Sequence, residues 1–367
     1  MIYREKYLEK FHELKLENIK EGLGIITVMD WVDIDAQYTE PGNTSTESNI
    51  DILDESGIDY LDEKTKQEIC SIINNPILEN KLDYLHAALR NIKIIIIDEN
   101  TKVKDNIITI NRKIVGNQYN HLIIYVKDNT NATIIINTDA INNLSSSTEF
   151  LDILLGDNCE VNIVDSRNYG DKYFIYSRKE SHIGNNSSIT WTNIEGPAKL
   201  NITSIRSRLE GYNSGSIMNN LLLSRNSEYN IFTRTDHNEK NSKSLMQSRV
   251  LMNRSKAIMH GLIYIHKDAK ESNGYQRSEI MMLDNESRAV SIPDLQIHND
   301  DVRCTHGSSI SRPDVEKIFY IQSRGLDEAQ SQRLIIQGFY EIILKYIPEH
   351  LKDSAREKIE EILYLQS

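Results

Sequence analysis

The sequence predicts a mainly β core with a helical region at each end. From about Ile92 to Val302 the helical period disappears, and short β-rich runs alternate with turns of Asn, Asp, Gly and Ser. The turns recur: Asn158, Asn186, Asn213, Asn226, Asn253 and Asn285 step by 28, 27, 13, 27 and 32 residues. These steps lie near one or two multiples of about 14, the mark of a repeat architecture. Outside this stretch helical periodicity returns. A loose fixed period with Asn/Gly corners fits a β-solenoid, whose coils cannot close their own apolar faces and therefore stack. Similar strand spacing occurs in β-sandwiches, so spacing alone leaves both open.

In chain order, residues 1–22 read as a helix with Tyr7, Phe11, Leu14 and Ile19 on one face, stopped by Gly22 and Gly24. Glu40 to Gly57, with Pro41, Gly42 and a Thr/Ser/Asn cluster, reads as a loop or linker. Leu61 to Leu89 is mostly helical with a break at Pro76; Cys70, beside Ile69, Ile72 and Ile73, is expected to be a core thiol. Leu82, Leu85, Ala88 and Leu89 form a stripe leading into a strand at Ile92–Ile97. Beyond the core, three helices are expected. The first spans about Pro313 to Ser323, with Gly325 at its end. The second starts at Asp327 with Gln330 completing a capping box, shows Ile335, Phe339, Ile342 and Tyr346 on one face, and ends at Pro348. The third starts near Asp353 and carries Ile359, Ile362 and Leu363. The chain thus divides into 1–91 (helical, with the linker), 92–312 (core) and 313–367 (helical).

Composition bounds the chemistry. With 367 residues, 39% hydrophobic and 26% charged, the chain reads as globular, with two or three structural units. A net charge of −12 argues against a general nucleic-acid surface. Three scattered cysteines, Cys70, Cys159 and Cys304, make no disulfide framework and suit a reducing cytosol. No apolar run approaches the ~20 residues of a membrane span, and the N-terminus lacks a signal-peptide pattern. A cytoplasmic chain with no membrane partner is expected.

The richest stretch is Asn299 to Ser309. Cys304 and His306 are two apart, so in an extended strand they project to one side and Thr305 to the other. A thiolate and a neutral imidazole both suit iron or zinc. Taken alone, C-x-H more often marks a buried thiol beside a surface histidine than a metal site. The surroundings add more: Asp300, Asp301, Val302, Cys304, His306 and Gly307, then Phe319, Tyr320, Ser323, Arg324 and Gly325, then Gly338 and Phe339. This order and spacing resembles the C-terminal signature of the SufB/SufD family, the scaffold-type subunits of the Suf iron–sulfur cluster assembly machine. Upstream, Asp236-His237 with Lys243-Ser244 and Gly261, the run Gln276 to Leu283, and Ile292 to Ile297 are similar to further family segments. Leu85 to Leu89 before a strand resembles the family's entry into its core.

The resemblance implies a right-handed parallel β-helix core flanked by N-terminal and C-terminal helices. It implies an assembly scaffold rather than an enzyme. In SufB-type chains a coil corner carries a sulfur-accepting cysteine; the matching place is Ser287, and C-x-H-G is the SufD form. A SufD-like subunit is therefore expected, pairing with a SufB-like subunit or with itself. Iron or an Fe–S cluster would be held transiently at Cys304 and His306 and shared with a partner chain, because a cluster needs about four ligands. A SufC-type ATPase would dock on the C-terminal helices through Phe319, Tyr320, Arg324, Gly325 and Phe339. ATP would sit on that partner, since this chain has no G-x-x-x-x-G-K-[ST]. A SufB-type homodimeric scaffold, a carbohydrate-active β-helix enzyme and a zinc-dependent or purely structural adaptor are the alternatives. Adjacent Asp300 and Asp301 point oppositely, which weakens a paired acid/base reading. His237 is a weaker site candidate than His306; His86, His121, His182, His260, His266 and His298 read as scattered surface or core residues.

Overall fold

Strands two apart in the chain pair in parallel, so the β region winds rather than folding back on itself. The computed structural model describes residues 2–14, 19–21, 25–27, 42–140 and 145–364. The chain begins with α1 (Ile2–Glu13), a short antiparallel pair β1 (Ile19–Glu21) and β2 (Ile25–Thr27), and β3 (Asn43–Ser48). Helices α2 (Glu63–Asn74) and α3 (Lys81–Leu89) follow. Then come β4 (Asn91–Ile97), β5 (Ile107–Val115), β6 (Gln118–Val126), β7 (Asn131–Ala140), β8 (Ser145–Leu155), β9 (Glu160–Asn168), β10 (Gly170–Ile183) and β11 (Ser188–Glu195). The second half of the winding is β12 (Ala198–Leu209), β13 (Gly215–Arg225), β14 (Glu228–His237), β15 (Lys243–Asn253), β16 (Lys256–Ile265), β17 (Ser272–Met282), β18 (Arg288–Ile297) and β19 (Val302–Ser311). The chain closes with α4 (Val315–Gln322), α5 (Glu328–Leu344) and α6 (Glu349–Tyr364).

Even-numbered strands from β4 to β18 build an eight-stranded sheet, and β3 with the odd-numbered strands from β5 to β19 a nine-stranded one. Together they form a β-solenoid of about eight turns. The consistently parallel register excludes the antiparallel sandwich that spacing alone had left open.

The corners explain the asparagine steps. Asn129, Asn158, Asn186, Asn213 and Asn241 all have φ between +51° and +61°, the left-handed region that Asn tolerates because its short side chain bonds locally. They stack at one corner, each side-chain amide donating to the Oδ1 of the Asn one coil before, at 2.8 to 3.5 Å. Asn226 and Arg254 serve the opposite corner. The 13-residue step from Asn213 to Asn226 is therefore half a coil, and the steps of 27 and 28 are whole ones.

Alternate side chains fill the bore: Ile95, Ile124, Ile153, Ile163, Trp191, Met246 and Ile263 belong to one apolar cluster. Midway, the filling turns ionic. Arg112 and Glu149 pair at 2.5 Å, Arg167 meets Asp165 at 3.0 Å, and Lys179 lies 2.9 Å from Asp165 and 2.6 Å from Glu195, all buried. Burial would raise the Asp165 carboxyl, but Arg167 and Lys179 outweigh it and hold it well below the usual carboxylate range.

The two ends of the stack differ. At the N-terminal end β3 pairs antiparallel along β5, and Leu53 exchanges main-chain hydrogen bonds with Ile94 of β4 at 2.9 and 2.8 Å. Both terminal strands are thereby at least partly covered. At the other end β18 and β19 are the outermost strands of their sheets. The helices pack on the flanks. Phe11 of α1 and Leu82 and Leu85 of α3 join Phe174, Tyr176 and Ile202 on the eight-stranded sheet; α5 and α6 pack on Leu223, Leu251 and Met281 of the nine-stranded one.

Several sequence expectations need correction. The helix expected over 1–22 spans Ile2–Glu13, and Ile19 pairs with Thr27 in the β1–β2 hairpin instead. The stop residues Gly22 and Gly24, like Glu40 and Pro41, lie outside the described residues. The expected linker contains β3, because the polar run Asn43–Ser48 gains main-chain pairing on an otherwise open edge. Gly42 there is required by close approach: a Cβ would sit 1.9 Å from the Val115 carbonyl oxygen. On α5 and the turn after it, the buried row is Ile336, Tyr340, Ile343 and Ile347, one residue on from the expected face. Asp314 caps α4 in place of a Pro313 start, and α6 begins at Glu349. The Asp327/Gln330 capping box and the break around Pro76 are as expected.

Asn186→Val should destabilise the chain by about 2 kcal/mol, because a β-branched residue resists positive φ. Asn186→Gly should cost less than that, since glycine accepts the angle freely. Lys179→Met should cost roughly 3–5 kcal/mol by leaving carboxylates buried and unpaired. Urea unfolding of the three variants reads all of these.

Candidate metal-handling site

Cys304 and His306 lie on β19, the terminal strand of the nine-stranded sheet. In register, Cys304 stands over Gly274 and His306 over Gln276 of β17. The two therefore share a face, the one turned towards the bore. Cys304 is half-buried against the end of the apolar filling, where a Cβ on Gly274 would lie 3.4 Å from its Sγ and 3.0 Å from Ile263. His306 is exposed because no further coil covers it. Burial pushes the Cys304 thiol up to about 11. The thiol is thus protonated at neutral pH, the reverse of what a metal ligand needs. Among the described residues no three His, Cys, Asp or Glu side chains group closely enough to hold a metal ion. This end of the chain offers two candidate ligands, which do not complete a site among the described residues.

The other candidates separate clearly. His237 is fully buried, its Nδ1 2.7 Å from the Ser242 Oγ and its Nε2 2.8 Å from the Ser244 Oγ. Burial lowers its imidazole to about 4, so it is a neutral, satisfied core residue. Ser287 ends a corner ladder in which the main-chain N–H of Ser227 donates to Ser255 Oγ, and that of Ser255 to Ser287 Oγ. Its own hydroxyl donates to Asp284 at 2.6 Å. Cys159 holds the equivalent position in the opposite corner, its N–H donating to Ser187 Oγ at 2.9 Å, and Cys70 packs half-buried in the apolar cluster of Ile69 and Ile94. All three cysteines are free thiols.

On α4, Phe319 and Tyr320 are 71% and 59% exposed, and Val315 76%. Arg324 lays its guanidinium 5.2 Å from the centroid of the Tyr320 ring and donates to the Tyr320 hydroxyl at 3.0 Å. Gly325 follows with φ +101°, a turn only glycine makes without strain. Phe339 does not join this patch. It is half-buried against the solenoid, with the Arg249 guanidinium 4.7 Å from its centroid and donating to its main-chain oxygen at 2.9 Å.

Sequence reasoning missed one constellation. His86, His121 and His182, read as scattered, line a single cavity between α2, α3 and the eight-stranded sheet. The signal was the register: His121 stands beside Phe150 and Phe150 beside Arg178, a coil apart each time.

A family profile described as "SUF system FeS cluster assembly, SufBD core domain" matches residues 108–339, more than half of the chain. The iron-sulfur cluster assembly protein SufD of Bacillus subtilis is 26% identical over 284 residues, which are 74% of this chain and 64% of that protein. The iron-sulfur cluster assembly protein SufD of Escherichia coli is 30% identical over 135 residues, 36% of this chain and 32% of that protein. A SufBD family protein of Staphylococcus epidermidis is 24% identical over 200 residues, 54% of this chain and 43% of its own length. The chain thus spans less than two thirds of the length of these relatives. A coil stack ending in Cys304 and His306, matched over most of its turns by the core profile, belongs to the SufB/SufD family and is SufD-like within it.

Proposed function

We propose that the chain is a non-catalytic subunit of the Suf complex that assembles Fe–S clusters, paired with a SufB-like subunit. One observation carries this reading: the two ends of the solenoid are treated differently. The N-terminal edge is covered by β3 and Leu53, while the edge bearing Cys304 and His306 has nothing over it among the described residues. Uncovered edge strands are templates for another chain. Pro293 on β18 fits a position beside such an edge, and Val290, Ile297 and Ile310 add apolar surface there. A partner closing this end supplies the missing ligands. It also supplies, directly or through iron, the positive charge that draws the proton from Cys304. Iron or the nascent cluster is cargo here, held in transit between the two chains.

Ser287 favours the SufB-like pairing over a SufB-type homodimer. A hydroxyl locked to Asp284 carries no persulfide sulfur, so that task falls to the partner. The exposed Val315, Phe319 and Tyr320, with Arg324 stacked on the tyrosine, suit docking of a SufC-type ATPase that brings its own nucleotide. Three free thiols agree with work in a reducing cytoplasm. No helix among the described residues is long and apolar enough to cross a membrane.

Cys304→Ala and His306→Ala should each remove most of the iron and acid-labile sulfide retained after anaerobic reconstitution with SufB-like and SufC-like subunits. Full retention in both variants rejects the site. In the isolated chain, alkylation of Cys304 by iodoacetamide, followed by peptide mapping, should be slow at pH 7.5. It should accelerate as pH approaches 11, because the thiolate form grows in only there. Adding the SufB-like partner should block it. Phe319→Asp should weaken SufC binding about tenfold or more while leaving the melting temperature unchanged, since the ring is exposed.

A further inference from the structure

The three histidines set aside by sequence reasoning surround a cavity of about 370 Å³, large enough for a small metabolite. Exposed Ser71 and Asn75, at the end of α2, mark its mouth. Its inner wall is the outward face of the eight-stranded sheet, and its roof is α3. The site is far along the solenoid from Cys304 and plays no part in the chemistry described above.

Two ring nitrogens in the wall have no partner. His86 is 1% exposed; its Nδ1 lies 2.9 Å from the Thr148 hydroxyl, while its Nε2 bonds to nothing. His121 is 4% exposed; its Nε2 lies 2.6 Å from Asp152, while its Nδ1 bonds to nothing. Buried polar atoms are nearly always satisfied, so two orphans on adjacent rings, 5.5 Å apart between centroids, ask for a third party. The His86 ring also stacks on Phe150, at 3.6 Å and 14°.

The charges say what that party is. Three carboxylates line the cavity and all are engaged: Asp83 with Arg178 at 2.9 Å, Asp152 with His121, and Glu180 with Arg208 at 2.9 Å. Arg90 is left over. Its guanidinium donates to the main-chain oxygen of Ile73 at 2.7 Å and forms no salt bridge among the described residues, with Glu55 and Asp152 acting on it only at longer range. Burial lowers its pKa and pushes His86 well below its usual value, so His86 is neutral and offers hydrogen bonds without charge. Ile72, Pro76, Ile77 and Phe150 supply apolar wall beside these groups.

We propose that this cavity binds a small organic anion, its carboxylate or phosphate meeting Arg90 and the Nε2–H of His86, whose Nδ1 accepts from the Thr148 hydroxyl, and its flat apolar body lying against Phe150 and Ile77. The reading rests on lining chemistry alone and stands whether or not the Suf assignment does. Calorimetric titration of the full chain tests it, with benzoate and phenyl phosphate as ring-bearing anions, phenol as the neutral ring and inorganic phosphate as the bare anion. One ring-bearing anion or both should bind saturably at one site, and which of them is tighter separates a carboxylate from a phosphate ligand. Phenol and inorganic phosphate should bind at least about tenfold more weakly. Arg90→Gln should weaken the ring anion by about tenfold or more. Ile77→Trp should fill the mouth and abolish binding with an unchanged melting temperature. Phenol binding as tightly as benzoate, no saturable binding by any probe, or binding unaltered in both variants overturns the proposal.

Discussion

A parallel coil stack satisfies its main chain everywhere except at its two ends, and the rest of this molecule is arranged around that fact. Every interior strand bonds to the strand one coil before and one coil after. The first and last coils cannot. At the N-terminal end the chain spends a stretch of polar sequence, Asn43 to Ser48, and the single bridge at Leu53, on covering the exposed ladders. The six-residue strand has no apolar alternation, so pairing, not core burial, holds it there. The far end receives no such treatment among the described residues, and it is the end that carries a thiol and an imidazole side by side.

The stack also sets what can occur inside and outside each coil. A winding of 27 to 29 residues at the asparagine corner turns sharply at fixed places, and those places demand positive φ; asparagine fills most of them and adds a side-chain ladder of its own. The bore is continuous, so residues far apart in the chain meet at coil spacing. That brings three cations and three carboxylates into mutual contact at the middle of an otherwise aliphatic filling. Such a network adds little net stability, but it tolerates no partial loss. Outside, the same spacing aligns His121, Phe150 and Arg178 across neighbouring strands, which is how residues of three different coils come to line one cavity.

How legible this was depended on whether the signal was local. The half-coil step from Asn213 to Asn226, the Asp327/Gln330 capping box and the shared face of Cys304 and His306 follow from spacing along one segment, and all are present in the structure. What failed needed tertiary knowledge. β3 is a strand only because β5 has a free edge. On α5 the apolar arc is wide, so Ile335 and Ile336 both sit within it, and only the position of the sheet decides which row is buried. The family resemblance groups Phe339 with Phe319 and Tyr320; in the fold Phe339 is half-buried on the sheet and engaged by Arg249, apart from the exposed pair. The histidine cavity was invisible because its members, at 86, 121 and 182, are 35 and then 61 residues apart along the chain and become neighbours only through register.

The state of Cys304 gives the uncovered end its meaning. Were the site complete in one chain, a neighbouring cation would be expected to lower the thiol, as it does at reactive cysteines generally. Here burial acts alone and raises it. An inert thiol at an exposed solvent boundary is safer from oxidation and from stray metal than a standing thiolate would be. On the pairing proposed above, it would become a ligand only when positive charge arrives at the same moment as the cover that excludes water. A subunit docking on β18 and β19 meets both conditions at once, because edge pairing brings its side chains over the bore. Assembly and ligand activation would then be one event under that proposal, and a chain with its partner absent would carry the parts of a metal site without its reactivity.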